Sequence, residues 1–106
     1  MPSYLGRTLV LIASAACLAS VIVVDAQDRP PHPGQAPYDR VCKVCHGEEG
    51  KGNAGPALVP FEMDDDALLA RVREGGGEMP PISGNRVSDE EVKQIGAYLR
   101  SLSVAP

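Results

Sequence analysis

The sequence predicts an all-α domain of three to four short helices folded around something other than its own side chains, and three observations predict it. Two segments carry helix starts, apolar spacing and stops that can be read directly. Beyond the N-terminal apolar stretch the only aromatic residues are Tyr38, Phe61 and Tyr98, a thin supply for a core. The only cysteines outside that stretch, Cys42 and Cys45, fall beside one of the two histidines, His46, in the run VCKVCHGEEGKG at 41–52. A domain this small usually needs a disulfide, a metal or another covalent cross-link to stay folded, which turns attention to the cysteines.

The first quarter of the 106-residue chain is expected to lie outside the domain. Arg7 precedes an uncharged apolar run from Thr8 to Val24, and Val24-Asp25-Ala26 fits a small-residue cleavage site, so residues 1–26 read as a secretory signal. The alternative is an uncleaved anchor, because the run is near the lower limit of roughly 17 residues for a spanning helix. Lipid attachment at Cys17 is the weakest option, since Ser14 is poorly suited three positions ahead and the apolar run continues past it. Loss of 1–26 removes Arg7 and Asp25 together and leaves the net charge at −4. A mildly acidic chain has no electrostatic case for binding nucleic acid. Pro30, Pro31 and Pro33 make 27–35 a short stiff tail before a domain over 36–106.

Three chemistries use Cys-x-x-Cys: a redox dithiol, half of a zinc site and covalent haem attachment. The dithiol should follow a strand, but DRPPHPGQAPYDR upstream is too rich in proline for one. Cys42, Cys45, His46 and His32 are a nominal zinc set, yet structural sites space their second pair well away from the first. Haem attachment accounts for every member: two thiols along one helical turn add to the two vinyl groups, and the next residue turns its imidazole toward the iron. An exported chain agrees, since haem is attached outside the cytoplasm.

A second axial ligand must come from elsewhere, and Met63, Met79 and His32 are the candidates. Met79 is best placed, in GGGEMPPIS, where glycines let the backbone approach a flat surface and Pro80 and Pro81 hold the exit extended. Methionine is a standard partner to histidine at haem iron. Met63 is expected to be a packing residue and His32 to be solvated. A histidine ligand usually donates its other ring N–H to a fixed acceptor, and GEEGKGNAGPALVP offers the Pro56 carbonyl within a glycine-rich loop; an ordinary mobile loop is the plain alternative.

The first readable helix opens at Asp64-Asp65-Asp66, shows Leu68, Leu69 and Val72 as its apolar face and stops at Gly75. The last starts at Ser88 with Glu91 three residues on, a capping box, and carries Val92, Ile95, Leu99 and Leu102 in one stripe. Gly96 within it points to close approach of another helix.

With Cys42-x-x-Cys45-His46, Gly55-Pro56, Met79-Pro80 and a last helix bearing Tyr98, residues 34–102 resemble a small class I cytochrome c. In that family an N-terminal helix with a glycine, an aromatic four residues on and the first haem cysteine four after that crosses the last helix. Gly34, Tyr38 and Cys42 have that spacing, and Ile95 and Tyr98 match the partner positions. The resemblance implies thioether bonds at Cys42 and Cys45, axial ligands His46 and Met79, and a Pro56 carbonyl accepting from His46. Two departures stand out. Pro37 suits a first helical turn and is expected to push Gly34 outside the helix, away from a close crossing. The well-known mitochondrial relatives are strongly basic around the haem edge, whereas this chain is acidic.

A haem closed by two protein ligands has no open position for substrate, so the expected role is not enzymatic: a periplasmic one-electron carrier with one covalent haem c, of fairly high potential. The alternative is a haem-bearing subunit of a periplasmic dehydrogenase or membrane-bound respiratory complex. Catalysis or sensing at the iron would require Met79 to leave it. The partners are redox proteins, a donor dehydrogenase or cytochrome complex and an acceptor oxidase or reductase, met by a monomer or small subunit that touches membrane only if the N-terminal segment is uncleaved. Glu48, Glu49 and Asp64–Asp66 are candidates for docking a basic face.

Overall fold

The computed structural model describes residues 19–20 and 30–104. The expected signal segment apart from 19–20, with Cys17, and the start of the tail at 27–29 lie outside the described residues. Four helices follow in order: α1 Gln35–Val41, α2 Lys43–His46, α3 Asp65–Glu74 and α4 Asp89–Ser103. A 3₁₀ turn at Glu48–Gly50 interrupts what the sequence reads as plain loop. Among the described residues there is no strand, only an isolated bridge between Gly76 and Met79, and no helix long and apolar enough to cross a membrane.

Local chemistry sets the helix ends. Pro37 occupies the first turn of α1, where its missing N–H costs no intrahelical bond. The Asp64 side chain accepts from the Ala67 N–H at 2.8 Å and caps α3, which ends at Gly75 with φ 70°. Ser88 and Glu91 exchange two bonds of 3.1 Å each, closing the capping box of α4.

α4 packs against both α1 and α3, burying Val92, Ile95, Tyr98 and Leu99. The crossing with α1 is made at Gly34, contrary to the expectation from Pro37. Gly34 is indeed the residue just before the helix, but it is buried, and a Cβ there would overlap the Gln94 backbone carbonyl and lie 2.7 Å from the Tyr98 Cβ. A cap residue sits close enough to α4 to make the approach that the helix interior was expected to make. His32 is also corrected: rather than being solvated, its ring lies 5.6 Å from that of Tyr98, which lies 5.6 Å from Tyr38. The packed contacts therefore reach back into the proline-rich tail.

Three arginines tie the helices together at the surface. Arg40 of α1 reaches Glu91 at 2.7 Å and the Arg86 carbonyl at 3.2 Å. Arg100 of α4 holds Asp65 at 2.8 Å and the Met63 carbonyl at 3.0 Å, with its guanidinium 5.6 Å from the centre of the Phe61 ring. Arg73 of α3 donates to the carbonyls of Ile82 and Val87, at 3.1 and 2.9 Å, and pairs with Asp89. Exposed pairs contribute at most about 1 kcal/mol each, so their main effect is to fix which loop lies against which helix.

The Gly34 crossing yields the first prediction. Gly34→Ala must push α1 and α4 apart and should lose about 1–3 kcal/mol of unfolding free energy, the usual cost of overpacking. Gly84→Ala is the control, since the nearest atom to its Cβ is Arg73 Nη2 at 3.8 Å; it should stay within about 0.5 kcal/mol. Urea titration of the two variants checks both.

Candidate haem site

The cysteine and histidine residues sit where α1 gives way to α2. Cys42 is the joint, and its carbonyl accepts from the Cys45 and His46 N–H groups at 3.2 and 3.0 Å. One turn of chain therefore carries both thiols and the imidazole, as the spacing of the motif requires. The loop that follows is tied back onto the last carbonyls of α2: the Gly55 N–H donates to Cys45 and the Gly52 N–H to His46, both at 2.7 Å.

These bonds bring Pro56 over the imidazole, with His46 Nδ1 2.8 Å from the Pro56 carbonyl oxygen. A carbonyl can only accept, so Nδ1 carries the proton and Nε2 keeps its lone pair. The approach is close because residue 55 is glycine; a Cβ there would stand 3.2 Å from the Cys45 oxygen and 3.3 Å from two atoms of the His46 ring. The Tyr38 hydroxyl, from α1, donates to the Gly47 carbonyl at 2.7 Å and fixes the residue after the histidine. Burial of the Tyr38 ring, with the neighbouring Cys42 thiol second, pushes its hydroxyl up to about 12.

Met79 arrives from a different part of the chain. Gly76 and Met79 exchange two backbone bonds of 3.0 Å, a tight turn that presents the methionine. Beyond it the Ile82 N–H donates to the Val72 carbonyl at 2.8 Å, and Arg73 holds the carbonyls of Ile82 and Val87. The loop from 75 to 87 is thus fastened to α3 beyond its turn. The sequence marks Arg73 only as a basic residue near a helix end; which carbonyls it reaches depends on the path of a loop distant from its own turn.

Cys42, Cys45, His46, Pro56 and Met79 all line one cavity of about 520 Å³. Among the described residues every buried apolar side chain except Pro37, Tyr38 and Tyr98 also lines it, so the core is largely a wall around this space. Met63 lies on the same wall but is 37% exposed, not the packing residue expected from its place before α3. His32 is not on the wall; its Nδ1 accepts from the Gly34 N–H at 3.0 Å. Burial, then the neighbouring Cys45, pushes the Cys42 thiol up to about 11, so it stays neutral at ordinary pH.

The donor set and the wall fit a porphyrin. Two thiols on one turn, an imidazole whose tautomer leaves Nε2 free and a thioether from a separate loop meet in an apolar surround. Nothing in the described residues supports the other two readings of the cysteine pair: there is no group of three or more His, Cys, Asp or Glu side chains arranged to hold a metal, and no strand for a dithiol to follow.

Comparison with known proteins agrees. Residues 29–99 match the family described as cytochrome C oxidase, cbb3-type, subunit III. The chain is 35% identical over 69 residues to the 4-cresol dehydrogenase (hydroxylating) cytochrome c subunit of Pseudomonas putida, covering 65% of this chain and 59% of that one. It is 32% identical over 79 residues to the cbb3-type cytochrome c oxidase subunit CcoP of Rubrivivax gelatinosus, covering 69% of this chain and 26% of that one. The chain thus spans less than two thirds of the length of these curated relatives. Among solved structures, a chain of p-cresol methylhydroxylase with substrate bound superposes with TM-score 0.57 at 34% identity, over 64% of this chain and 89% of that one. The c-type cytochrome XoxG from Methylobacterium extorquens AM1 gives 0.59 at 26% identity, over 68% and 49%.

The Tyr38 bond generates the second prediction. Tyr38→Phe leaves the Gly47 carbonyl without its donor and should cost about 1 kcal/mol near neutral pH. The Tyr38 hydroxyl titrates near 12 when folded, against 10.0 ordinarily. Its contribution is complete below pH 10 and is lost as pH rises through 12. Denaturation curves between pH 8 and 12 should therefore fall less steeply for Tyr38→Phe than for the parent.

Proposed function

The chain belongs to the family of c-type cytochrome domains described as cytochrome C oxidase, cbb3-type, subunit III, and from that premise we propose that it is a periplasmic one-electron carrier. The cofactor of this family is covalently bound haem c. When bound, it supplies a one-electron couple on iron. Cys42 and Cys45 would carry the thioether bonds, and His46 and Met79 would be the axial ligands. The observation that carries this reading is the meeting of these four side chains at one apolar cavity.

The chain's own groups prepare each part of that role. The Pro56 carbonyl holds the His46 proton on Nδ1, which keeps Nε2 basic and stops the ring from turning. The loop fastened by Arg73 supplies a thioether, which favours the reduced state relative to a second imidazole. The apolar wall keeps water away, so charge change is met by little solvent rearrangement. Neither ligand leaves a position for substrate, which argues against catalysis at the iron.

The acidic surface bears on the partner. Glu48 and Glu49 are partly offset, by Lys43 at 3.1 Å and Lys51 at 3.9 Å, and Asp65 is held by Arg100. Glu62, next to Met63 in the chain, and Asp66, in the first turn of α3, have no such pair among the described residues, and Met63 itself is on the cavity wall. This edge suits a basic docking face. A second reading, a haem subunit seated on a dehydrogenase, is favoured by the likeness to the 4-cresol dehydrogenase cytochrome subunit and to a chain of p-cresol methylhydroxylase. Both readings rest on the same electron-transfer chemistry, and native purification separates them: a carrier elutes alone, a subunit brings a larger enzyme with it.

Two measurements test the proposal. The ferric parent should show a sulfur-to-iron charge-transfer band that Met79→Ala abolishes while lowering the potential; retention of both by the variant would move the ligand to Met63. Electron transfer with a basic partner should slow steeply as salt rises from 0.01 to 0.15 M, as the screening length falls from about 30 to about 8 Å. A rate indifferent to salt would argue against electrostatic docking.

A further inference from the structure

We propose that Ile82 is a positioning residue for Met79, locked to α3 at the far end of a stiff Met79-Pro80-Pro81-Ile82 strut, an inference that rests on the haem reading above. The segment between α3 and α4 contains no helix or strand. Among the described residues one backbone bond joins its interior, 76–87, to another element, and it is made at Ile82, whose N–H donates to the Val72 carbonyl at 2.8 Å. The Ile82 carbonyl accepts from Arg73 Nη1 at 3.1 Å. Consecutive residues of α3 thus hold both main-chain groups of one loop residue. The Ile82 side chain is buried in the cavity wall.

Proline carries that hold to the methionine. Pro80 and Pro81 fix their own φ, and Pro81 keeps Pro80 extended, so the two residues between Met79 and Ile82 have little freedom to take up slack. The strut also lies on the end of α3: a Cβ at Gly75 would come within 2.5 Å of the Met79 carbonyl oxygen and 2.8 Å of the Pro81 nitrogen. Met79 can then swing away only if the strut bends or Ile82 lets go. Arginine suits the lock, because its fork bonds Ile82 through one nitrogen and Val87 through the other, where a lysine has a single nitrogen to offer. Arg40 makes a comparable ion pair with Glu91 and a carbonyl bond at Arg86, outside the strut. The alternative is that Arg73, through Val87 and Asp89, only steadies the start of α4.

The two roles differ in how fast Met79 leaves the iron. The test uses haem-loaded ferric protein, first checked for covalent haem by denatured mass and for the sulfur-to-iron band; a parent lacking either would overturn the site reading and this proposal together, before any variant is compared. Imidazole is then added, and its nitrogen replaces the Met79 sulfur: one iron–sulfur bond breaks and one iron–nitrogen bond forms, with no change of oxidation state. At saturating imidazole the band disappears at the rate at which Met79 departs. Arg73→Gln should raise this limiting rate about tenfold, the equivalent of one charge-assisted hydrogen bond. Pro81→Ala should raise it roughly twofold to fivefold, the effect of releasing one proline. Arg73→Lys should stay raised. In the double variant Arg73→Gln with Pro81→Ala the increase should fall short of the product of the two, because a slack strut no longer transmits the hold at Ile82. Arg40→Gln should lower the urea midpoint yet leave the rate unchanged. The proposal is overturned by a parental rate in Arg73→Gln, by full recovery in Arg73→Lys, by single effects that multiply, or by Arg40→Gln raising the rate as far as Arg73→Gln does. Should Arg73→Gln fail to fold, Pro81→Ala decides alone, and a parental rate there overturns the proposal.

Discussion

Most of the buried apolar side chains of α3, α4 and the intervening loops line one cavity. That constraint orders the rest of the structure. A chain with three aromatic residues in its domain cannot close such a space with its own side chains, so the group that fills it has to be held permanently. Covalent attachment supplies that permanence, and both cysteines, the proposed thioether positions, sit on the cavity wall. The cofactor is in this sense a structural element first, and the redox role follows from its burial.

The two segments that carry the proposed ligands, His46 and Met79, are secured by different means. Around His46 the work is done by backbone: the carbonyls left over at the end of a four-residue helix accept from Gly52 and Gly55, and the same loop delivers the Pro56 carbonyl to the imidazole. Around Met79 it is done by a side chain, the Arg73 guanidinium, which reaches across to two loop carbonyls and Asp89. A short helix next to its own loop can satisfy its ends locally. A loop of a dozen residues lacking regular structure needs a long side chain to hold its far end. The histidine side is therefore held by short-range geometry, and the methionine side by an arrangement that one substitution can loosen.

The acidic character of the chain is unevenly distributed once the fold is formed. Lysines beside Glu48 and Glu49 temper that acidic pair, while the edge near Met63 keeps Glu62 and Asp66 without basic partners among the described residues. Docking through the edge near Met63 would place a basic partner beside the cavity wall.

Residue spacing alone determined a good deal. The Cys42–His46 turn, the Asp64 and Ser88 caps, the stop at Gly75 and the apolar stripe of α4 all depend on residues within a few positions of each other, so their physics is local and legible. The meeting of Cys42, Cys45, His46 and Met79 was inferred from their chemistry, and the fold places all four on one wall. What only the tertiary structure decided involves residues far apart in the chain. Gly34 meets the Gln94 carbonyl although it lies outside α1, His32 is half-buried with its ring tilted against Tyr98, and Met63 is exposed at the cavity edge. None of these could be read from neighbours, because each is set by where one segment crosses another, and that depends on the packing of the whole domain around its cofactor.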